Sequence, residues 1–250
     1  MAGRYRRPHQ PQSSSGRQSQ AARHGQGRQG QWFAGQPPPN PHGGHYLTDR
    51  QVIDPLVRAS GVGPGDLVFD LGAGFGALTG PLAATGAKVI AVEIDPALVA
   101  KLRRRFAVEA ESLVSVVEGD LRCIPLPRRP FYVVANPPFA LTTWLCRRLL
   151  GDPAVKLAGA ELMLEWGAAR WLAQIQPGPR QPGPRQPESR QPAPRDRESR
   201  QPAPRDREQA RWAARYEIRL VRRVPAASFS PPPATDAAHV SIRPRATAKD

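Results

Sequence analysis

The segment Asp70–Gly76, with the sequence Asp-Leu-Gly-Ala-Gly-Phe-Gly, limits what this chain can fold into more than any other stretch. It follows a short apolar run that predicts a buried strand, and it precedes a predicted helix near 76–85. Glycine lets the backbone turn tightly and approach a ligand closely. A strand, a glycine-rich turn and a helix in this order are typical of an α/β domain that binds its ligand at the turn.

The spacing of the glycines distinguishes between two kinds of ligand. Dinucleotide sites and methyl-donor sites both use a glycine-rich turn, but the dinucleotide pattern is G-x-G-x-x-G. Gly72, Gly74 and Gly76 instead give G-x-G-x-G. The carboxyl group of Asp70, just before them, would repel a pyrophosphate and attract an ammonium or sulfonium group. The turn therefore favours a cationic methyl donor over a dinucleotide.

Strands and helices alternate along the chain, which predicts a mostly parallel, doubly wound α/β sheet. We expect the last two strands, near 213–223 and 237–243, to form an antiparallel pair. The other predicted strands are 67–70, 88–93, 113–117, 131–135 and 161–166. The predicted helices are 52–57, 76–85, 96–107, 141–150 and 167–175.

Two segments lack the apolar residues needed for a core. Residues 1–44 contain six Arg and no acidic residue, and we expect a disordered basic arm there that contributes affinity for a polyanion. Residues 176–208 repeat Arg-Gln-Pro units, and so much Pro favours a disordered, extended insertion. The folded domain is therefore predicted to consist of residues 45–175 and 209–245.

The charge of the chain indicates a polyanionic partner. Its formal net charge is +15, and only four of its 36 basic residues are Lys. Because Arg binds phosphate through two parallel hydrogen bonds and stacks on bases, nucleic acid fits better than a membrane surface. No apolar run is long enough to span a membrane, and the two cysteines have no metal-binding or redox spacing. We expect a cytoplasmic monomer without a metal ion.

Acidic residues follow the second and third predicted strands. Glu93 ends the strand at 88–93, where one carboxylate can hold both hydroxyls of a ribose. Asp120 follows the next strand, where it can accept a hydrogen bond from the amine of an adenine. Open α/β sheets bind ligands at the carboxyl ends of their strands, so we expect both side chains to line one cleft.

The fourth strand ends in Asn136-Pro137-Pro138-Phe139. The prolines have no N–H and fix φ, so the carbonyls of this turn are held rigidly. The side-chain oxygen of Asn136 and the carbonyl of Pro137 can each accept one hydrogen of an amine, and Phe139 offers a surface for stacking. The turn therefore suits a planar base that carries an –NH2 group.

Each motif alone also has a purely structural explanation, such as a solvated acid at a strand end or an ordinary Pro-Pro turn. Basic composition by itself also serves solubility. The four motifs nevertheless follow four successive strands in a fixed order. Together they predict S-adenosylmethionine bound beside a methyl acceptor.

The ordered set resembles the Erm family of rRNA adenine N6-methyltransferases, which are macrolide–lincosamide resistance enzymes. The resemblance covers about 43–175 and 209–245. It includes Gly44-His45-Tyr46-Leu47, similar to the family's Gln-Asn-Phe-Leu, and Phe229–Ala237, similar to its Phe-x-Pro-x-Pro-x-Val-x-Ser. In contrast to the family, His45 replaces Asn, and Asn-Pro-Pro-Phe replaces Asn-Ile/Leu-Pro-Tyr. The sequence also ends soon after Arg245, as in short actinobacterial members that lack the C-terminal helical domain.

The resemblance implies a class I methyltransferase fold, S-adenosyl-L-methionine as cofactor, and an adenine in the peptidyl-transferase region of 23S rRNA, naked or pre-ribosomal, as substrate. The predicted cofactor-binding residues are His45, Leu47, Asp70, Gly72, Gly74, Glu93, Asp120 and Asn136. The residues predicted at the reacting base are Asn136, Pro137, Phe139 and Phe229.

The chemistry expected at this turn is activation of a poor nucleophile, since the N6 lone pair of adenine is delocalised into the ring. Accepting both N6 hydrogens, at Asn136 and at the Pro137 carbonyl, would shift the nitrogen toward a tetrahedral form. The base must leave its stack, and stacking on Phe139, with Phe229 nearby, would return part of that free energy. Methyl transfer then depends mainly on positioning.

Two other functions also agree with the sequence. The same chemistry acts on adenine in DNA or on a glutamine amide in a protein, because Asn-Pro-Pro-Phe serves those substrates too. Alternatively, the chain is a non-catalytic RNA-binding or ribosome-assembly factor on a methyltransferase fold. The acids at 70, 93 and 120 argue against this last function, since a protein that binds no cofactor does not need them.

Overall fold

The computed structural model describes residues 44–107, 113–174 and 204–245. The strands in this part of the chain are β1 (Tyr46–Leu47), β2 (Leu67–Leu71), β3 (Lys88–Glu93), β4 (Val114–Glu118), β5 (Phe131–Ala135), β6 (Leu157–Glu165), β7 (Tyr216–Val224), β8 (Phe229–Ser230) and β9 (Ala237–Pro244). The helices there are α1 (Arg50–Ser60), α2 (Thr79–Ala83), α3 (Pro96–Phe106), α4 (Thr142–Leu150), α5 (Trp166–Ala173) and α6 (Pro204–Arg215). The predicted basic arm up to residue 43 and residues 176–203 of the predicted insertion lie outside the described residues.

Seven strands form one sheet in the order β4-β3-β2-β5-β6-β9-β7, and β1 pairs separately with β8. The five strands from β2 to β6 are parallel, whereas β9 runs antiparallel to both β6 and β7. The parallel strands therefore end at one edge of the sheet, called here the carboxyl edge, and β7 ends there too. The predicted doubly wound sheet with an antiparallel C-terminal strand pair is confirmed.

Helices cover both faces of the sheet, because alternate residues of each strand point to opposite faces. Helices α4, α5 and α6 cover one face, where Phe131, Leu164 and Trp212 are almost completely buried. Helices α1, α2 and α3 cover the other face, where Leu56 and Met163 are buried. Burial contributes roughly 1.5–3 kcal/mol for each large apolar side chain. The carboxyl edge is therefore built on a well-packed scaffold.

Helix α6 differs from what the sequence led us to expect. We predicted an extended insertion up to residue 208 and a strand from 213, but the helix begins at Pro204 and β7 begins only at Tyr216. Pro is well tolerated in the first turn of a helix, and the Glu, Gln, Ala and Arg residues that follow favour a helix. Trp212 holds the helix on the core, because its ring is buried and meets Trp171 edge to face with centroids 6.3 Å apart.

Helix α2 is shorter than the predicted helix at 76–85. Gly76 has φ +78°, in the left-handed region, so the glycine turn continues past it and the helix starts at Thr79. Within the described residues, no helix is both long enough and apolar enough to cross a membrane.

A buried polar cluster, which the sequence analysis did not identify, lies on the face covered by α1. Glu161 is fully buried at its centre and accepts hydrogen bonds from the ring Nε2 of His239, from Ser241 Oγ at 3.0 Å and from the guanidinium of Arg243. Arg243 also donates to the backbone carbonyl of Ala59 in α1. Because His239 and Ser241 both bond to the carboxylate, they do not form a nucleophile–base relay. The cluster instead joins β6 to β9 and α1.

Candidate functional site

Two adjoining cavities open at the carboxyl edge of the sheet, with volumes of about 280 and 320 Å³. Tyr46, Gly72 and Asn136 line both of them, so the cavities meet where β1, the glycine turn and the end of β5 come together. The first cavity is also lined by His45, Glu93, Asp120, Arg122 and Leu141, and the second by Leu47, Arg50, Asp70, Phe75 and Arg105. Residues from four strand ends are thus brought to one place.

The backbone of the glycine turn favours glycine, and at Gly74 the turn also packs too closely for a side chain. Gly72 and Gly74 have φ +83° and +56°, which side chains rarely adopt. A Cβ atom on Gly74 would lie 2.8 Å from the ring of Tyr46. The N–H groups of Gly72 and Ala73 both donate to the carbonyl of Val92 at 2.9 Å, which attaches the turn to the end of β3.

The carboxylate of Glu93, at the end of β3, connects the glycine turn to the loop that follows β3. Its Oε2 accepts from the N–H of Gly74 at 2.8 Å, and its Oε1 accepts from those of Ile94 and Asp95 at 2.9 and 3.0 Å. The residue is only 7% exposed and lines the first cavity. Three backbone donors therefore hold the carboxylate in position, and its ribose-binding role stays a prediction.

Asp70 is almost completely buried at the end of β2 and lines the second cavity. Its Oδ2 accepts a hydrogen bond from Thr79 Oγ1 at 2.6 Å. Burial disfavours the charged form and raises the pKa of this carboxyl group from 3.8 to about 7, although the Thr79 hydrogen bond opposes the shift. A cation placed in this cavity would favour the ionised form, as the sequence analysis expected for an ammonium or sulfonium group.

We expect Asp70 to make the folded state less stable as the pH rises. Its pKa is higher in the folded protein than in the unfolded chain, so its contribution is fully present below pH 3.8 and is lost as the pH rises through about 7. Asp70→Asn should flatten the fall in unfolding free energy between these pH values, measured by urea denaturation. Asp54→Asn, at an exposed position, is the control. Equal slopes for the wild type and Asp70→Asn would contradict the expectation.

Asp120 lines the first cavity, but its carboxylate is already engaged by a residue that the sequence analysis missed. Arg122 donates to it from its backbone N–H at 2.8 Å and from its guanidinium in a bidentate manner. The hydrogen bonds from Arg122 hold the pKa of Asp120 below its usual value. A basic residue two positions after an acidic one can be recognised in the sequence, because a turn after a strand lets the two side chains meet.

Asn136 follows β5 and faces both cavities. Its side-chain NH2 donates to the backbone carbonyl of His45 at 2.7 Å, and its Oδ1 is buried without a hydrogen-bond partner among the described residues. A Cβ atom on Gly72 would lie 3.5 Å from Pro138 Cδ and 3.8 Å from the Asn136 carbonyl oxygen. The turn after β5 and the glycine turn are therefore in contact, as neighbouring parallel strands predict.

Phe139 is partly exposed and is held by two other rings. Its centroid lies 5.7 Å from that of His45 and 6.2 Å from that of Phe229, which meets it edge to face. Phe229 is only 3% exposed, so it supports Phe139 rather than offering a stacking face of its own. Leu47, which pairs with Phe229, also buries its side chain, while its neighbour Tyr46 lines both cavities.

The loop between β7 and β9 is closed by Asp236, another residue that sequence reasoning missed. One carboxylate oxygen accepts from the N–H of Ala226 at 2.9 Å, and the other accepts from Arg223 Nε at 2.7 Å. The Ala226 hydrogen bond, with a smaller effect of Arg223, holds the pKa of Asp236 below its usual value. The closed loop presents the carbonyl of Pro231, which accepts from His45 Nδ1 at 2.9 Å.

The relatives of this chain among known proteins are named for ribosomal RNA methylation or for resistance. The family model "Ribosomal RNA adenine dimethylase" matches residues 40–178. An rRNA adenine N-6-methyltransferase of Bacillus licheniformis is 30% identical over 204 residues, which cover 82% of this chain and 61% of that protein. The mycinamicin-resistance protein MyrB of Micromonospora griseorubida is 32% identical over 81% of this chain and 55% of its own length. Ribosomal RNA small subunit methyltransferase A of Synechococcus sp. (strain JA-3-3Ab) is 34% identical over 81% of this chain and 66% of its own.

Among solved structures, the 23S rRNA methyltransferase ErmE superimposes with a TM-score of 0.63. The two sequences are 23% identical over 80% of this chain and 70% of that chain, a level at which the similarity concerns the fold. The chain spans less than two thirds of the length of the Bacillus and Micromonospora relatives.

Proposed function

The chain belongs to the ribosomal RNA adenine dimethylase family, and from this membership we propose that it methylates the N6 atom of an adenine in 23S rRNA. Its fold is the class I methyltransferase fold, and its cofactor is S-adenosyl-L-methionine. The observation that carries the proposal is the buried Oδ1 of Asn136, which has no partner among the described residues and lies beside the glycine turn.

The residues around the two cavities suit the cofactor. Asp70 in the second cavity would hold its ammonium group, and Glu93 in the first would hold the ribose hydroxyls. Asp120 would accept from the adenine amine, in competition with Arg122. When bound, the cofactor supplies an electrophilic methyl group on a sulfonium.

The chain's contribution to the reaction is to orient and activate the target amine. Because the Asn136 NH2 group donates to the His45 carbonyl, Oδ1 is the side-chain atom left to accept a hydrogen from N6. The rigid carbonyl of Pro137 would accept the second hydrogen. With both hydrogens held, the nitrogen lone pair is directed away from the ring and toward the methyl group. Stacking on Phe139 would hold the extruded base.

The choice of 23S rRNA rests on the sequence resemblance to the Erm family and on relatives with resistance or N-6-methyltransferase in their names. Resistance to macrolides and lincosamides would follow from methylation in the peptidyl-transferase region. The relative named for the small ribosomal subunit makes 16S rRNA the second candidate substrate.

A direct test incubates the purified chain with S-[methyl-³H]adenosylmethionine and separate pools of 23S rRNA, 16S rRNA, DNA and ribosomal protein. We expect label in 23S rRNA, and mass spectrometry of nuclease fragments should locate the methyl group on one adenine in the peptidyl-transferase region. Label mainly in 16S rRNA would select the second candidate. Label only in DNA or protein would reject an rRNA substrate.

Gly74→Ala should weaken binding of S-adenosylhomocysteine by about 10-fold or more, because the strained φ and the contact with Tyr46 displace the turn. Gly86→Ala is the matched control. Gly86 also has positive φ, +85°, and a Cβ there would lie 2.9 Å from Pro64 Cγ, away from both cavities. Isothermal titration calorimetry should give wild-type affinity for Gly86→Ala. Equal losses in the two variants would indicate a general effect on folding.

A further inference from the structure

Five arginines form one basic surface along helix α1 and the adjoining strands β7 and β9. We call this surface the α1–β7 face, and its members are Arg50, Arg58, Arg219, Arg222 and Arg243. Two hydrogen bonds hold the strands beside the helix. Arg222 donates to the carbonyl of Gln51 near the start of α1 at 2.9 Å, and Arg243 donates to that of Ala59 near its end. The basic surface therefore extends along the whole helix, about 16 Å for 11 residues.

A β-bulge places the arginines of β7 on this face. Arg219 is opposite Ser241 and Arg222 is opposite His239, although three positions separate Arg219 from Arg222. The register shift between Leu220 and Arg222 leaves Val221 as the extra residue, half exposed to solvent. In a regular strand, residues three apart point to opposite sides. The bulge therefore turns both arginines toward α1, as bulges near functional sites often re-aim side chains.

Folding stability explains the charge of Arg243, which pairs with the buried Glu161, but not the charges of the exposed arginines on this face. Arg50, Arg58 and Arg219 are exposed. The carboxylates within α1 and β7 are those of Asp54 and Glu217, and Asp49 lies directly before α1. The Arg219–Glu217 pair has an N–O distance of 3.7 Å with both side chains largely exposed, and such pairs contribute little to folding. Exposed guanidinium groups are suited to phosphate, because each can bind it through two parallel hydrogen bonds.

The α1–β7 face lies on the same half of the sheet as the proposed site of the target base. Asn136 follows β5 and the Phe229 loop follows β7, so the proposed base site lies on the β5–β7 half of the carboxyl edge, where α1 also starts. Arg50 lines the second cavity, and Asp49 before it accepts from Ser228 Oγ in the same loop at 3.0 Å. The α1–β7 face therefore begins with Arg50 at the second cavity, which Arg105 of α3 also lines, and continues along α1 over the β5–β7 half of the sheet.

We propose that the α1–β7 face binds the phosphate backbone of the rRNA next to the target adenine. This inference rests on the proposed function, since it takes rRNA as the substrate. RNA held along α1 would reach the carboxyl edge beside Arg50. The target base would then lie next to Asn136, at the end of β5.

Helix α3 provides a matched control surface. It is also basic, but it packs against β3 and β4, on the half of the sheet assigned to the cofactor. Arg103 lies 3.9 Å from Glu118, as Arg219 lies 3.7 Å from Glu217. Arg104, like Arg58, is exposed in the last turn of its helix. Replacing Arg58 and Arg219 therefore removes the same charge, in similar environments, as replacing Arg103 and Arg104.

The test measures filter binding of purified 23S rRNA to the full chain over a range of salt concentrations. For Arg58→Gln/Arg219→Gln, the slope of log K against log salt should become less steep by roughly 1.4, about 0.7 for each lost phosphate contact. Affinity in low salt should also fall. Arg103→Gln/Arg104→Gln should leave the slope and the affinity unchanged. Both variants should bind S-adenosylhomocysteine as the wild type does.

Two results would overturn the inference: an unchanged slope in the α1–β7 variant, or an equal change in both variants, which would indicate general charge attraction. Failure of the proposed function gives a different result. In that case the wild type would not bind S-adenosylhomocysteine or would transfer no methyl group to RNA, whatever the salt slopes of the variants.

Discussion

Asn136→Ala is expected to lower the rate of methyl transfer by about 10²–10³-fold, the typical effect of removing one positioned hydrogen-bonding group from a reaction centre. Binding of S-adenosylhomocysteine should weaken far less. The variant loses Oδ1, the acceptor for an N6 hydrogen, and also loses the donation to the His45 carbonyl. Single-turnover methylation of 23S rRNA and calorimetric cofactor binding measure the two effects separately.

Asn136→Asp separates the two functions of the amide. It keeps an oxygen at the acceptor position but cannot donate to the His45 carbonyl. We expect it to retain more activity than Asn136→Ala and less than the wild type. Near wild-type methylation by Asn136→Ala would refute the role given to this side chain. A loss of cofactor binding as large as the loss of rate would indicate that Asn136 only shapes the cavity.

Glu161→Ala is expected to reduce the free energy of unfolding by about 3–5 kcal/mol, the cost of removing one partner from a buried ionic cluster. The variant would leave the buried His239 and Ser241 without their acceptor and would leave the Arg243 guanidinium without a counterion. Urea denaturation followed by far-UV circular dichroism measures the change.

Ser241→Ala is the control for this cluster. It removes one hydrogen bond of 3.0 Å but leaves Glu161 bonded to His239 and Arg243. The expected loss is about 1 kcal/mol. If Glu161→Ala cost no more than Ser241→Ala, the carboxylate would not be the centre of the cluster.

The part of the site at strand ends could be predicted from the sequence. Positions such as Glu93 and Asn136 follow apolar runs, and parallel strands must end at one edge, so their proximity follows from the fold. For the same reason, the glycine turn and the turn after β5 were expected at that edge. Buried strands are recognisable from short sequence windows, and so are the glycines that require positive φ.

The other features of the fold and the site depend on contacts between residues that are far apart in the sequence. Glu161 and His239 are 78 positions apart, and nothing local marks them as partners. The burial of Phe229 depends on strand β1, and the attachment of α6 to the core depends on the packing of Trp212 against Trp171. The bulge at Val221 has no Gly or Pro to signal it. Such features become visible only when the register of the strands is known.

Mass spectrometry of nucleosides from 23S rRNA treated with the purified chain and S-adenosylmethionine identifies the atom that receives the methyl group. Methyl transfer to an amine held by Asn136 and the Pro137 carbonyl predicts N6-methylated adenosine, formed about 10²–10³-fold more slowly by Asn136→Ala than by the wild type. Methylation at a ring nitrogen, at a ribose hydroxyl or on another base would contradict the account, as would N6-methylation by the variant at the wild-type rate.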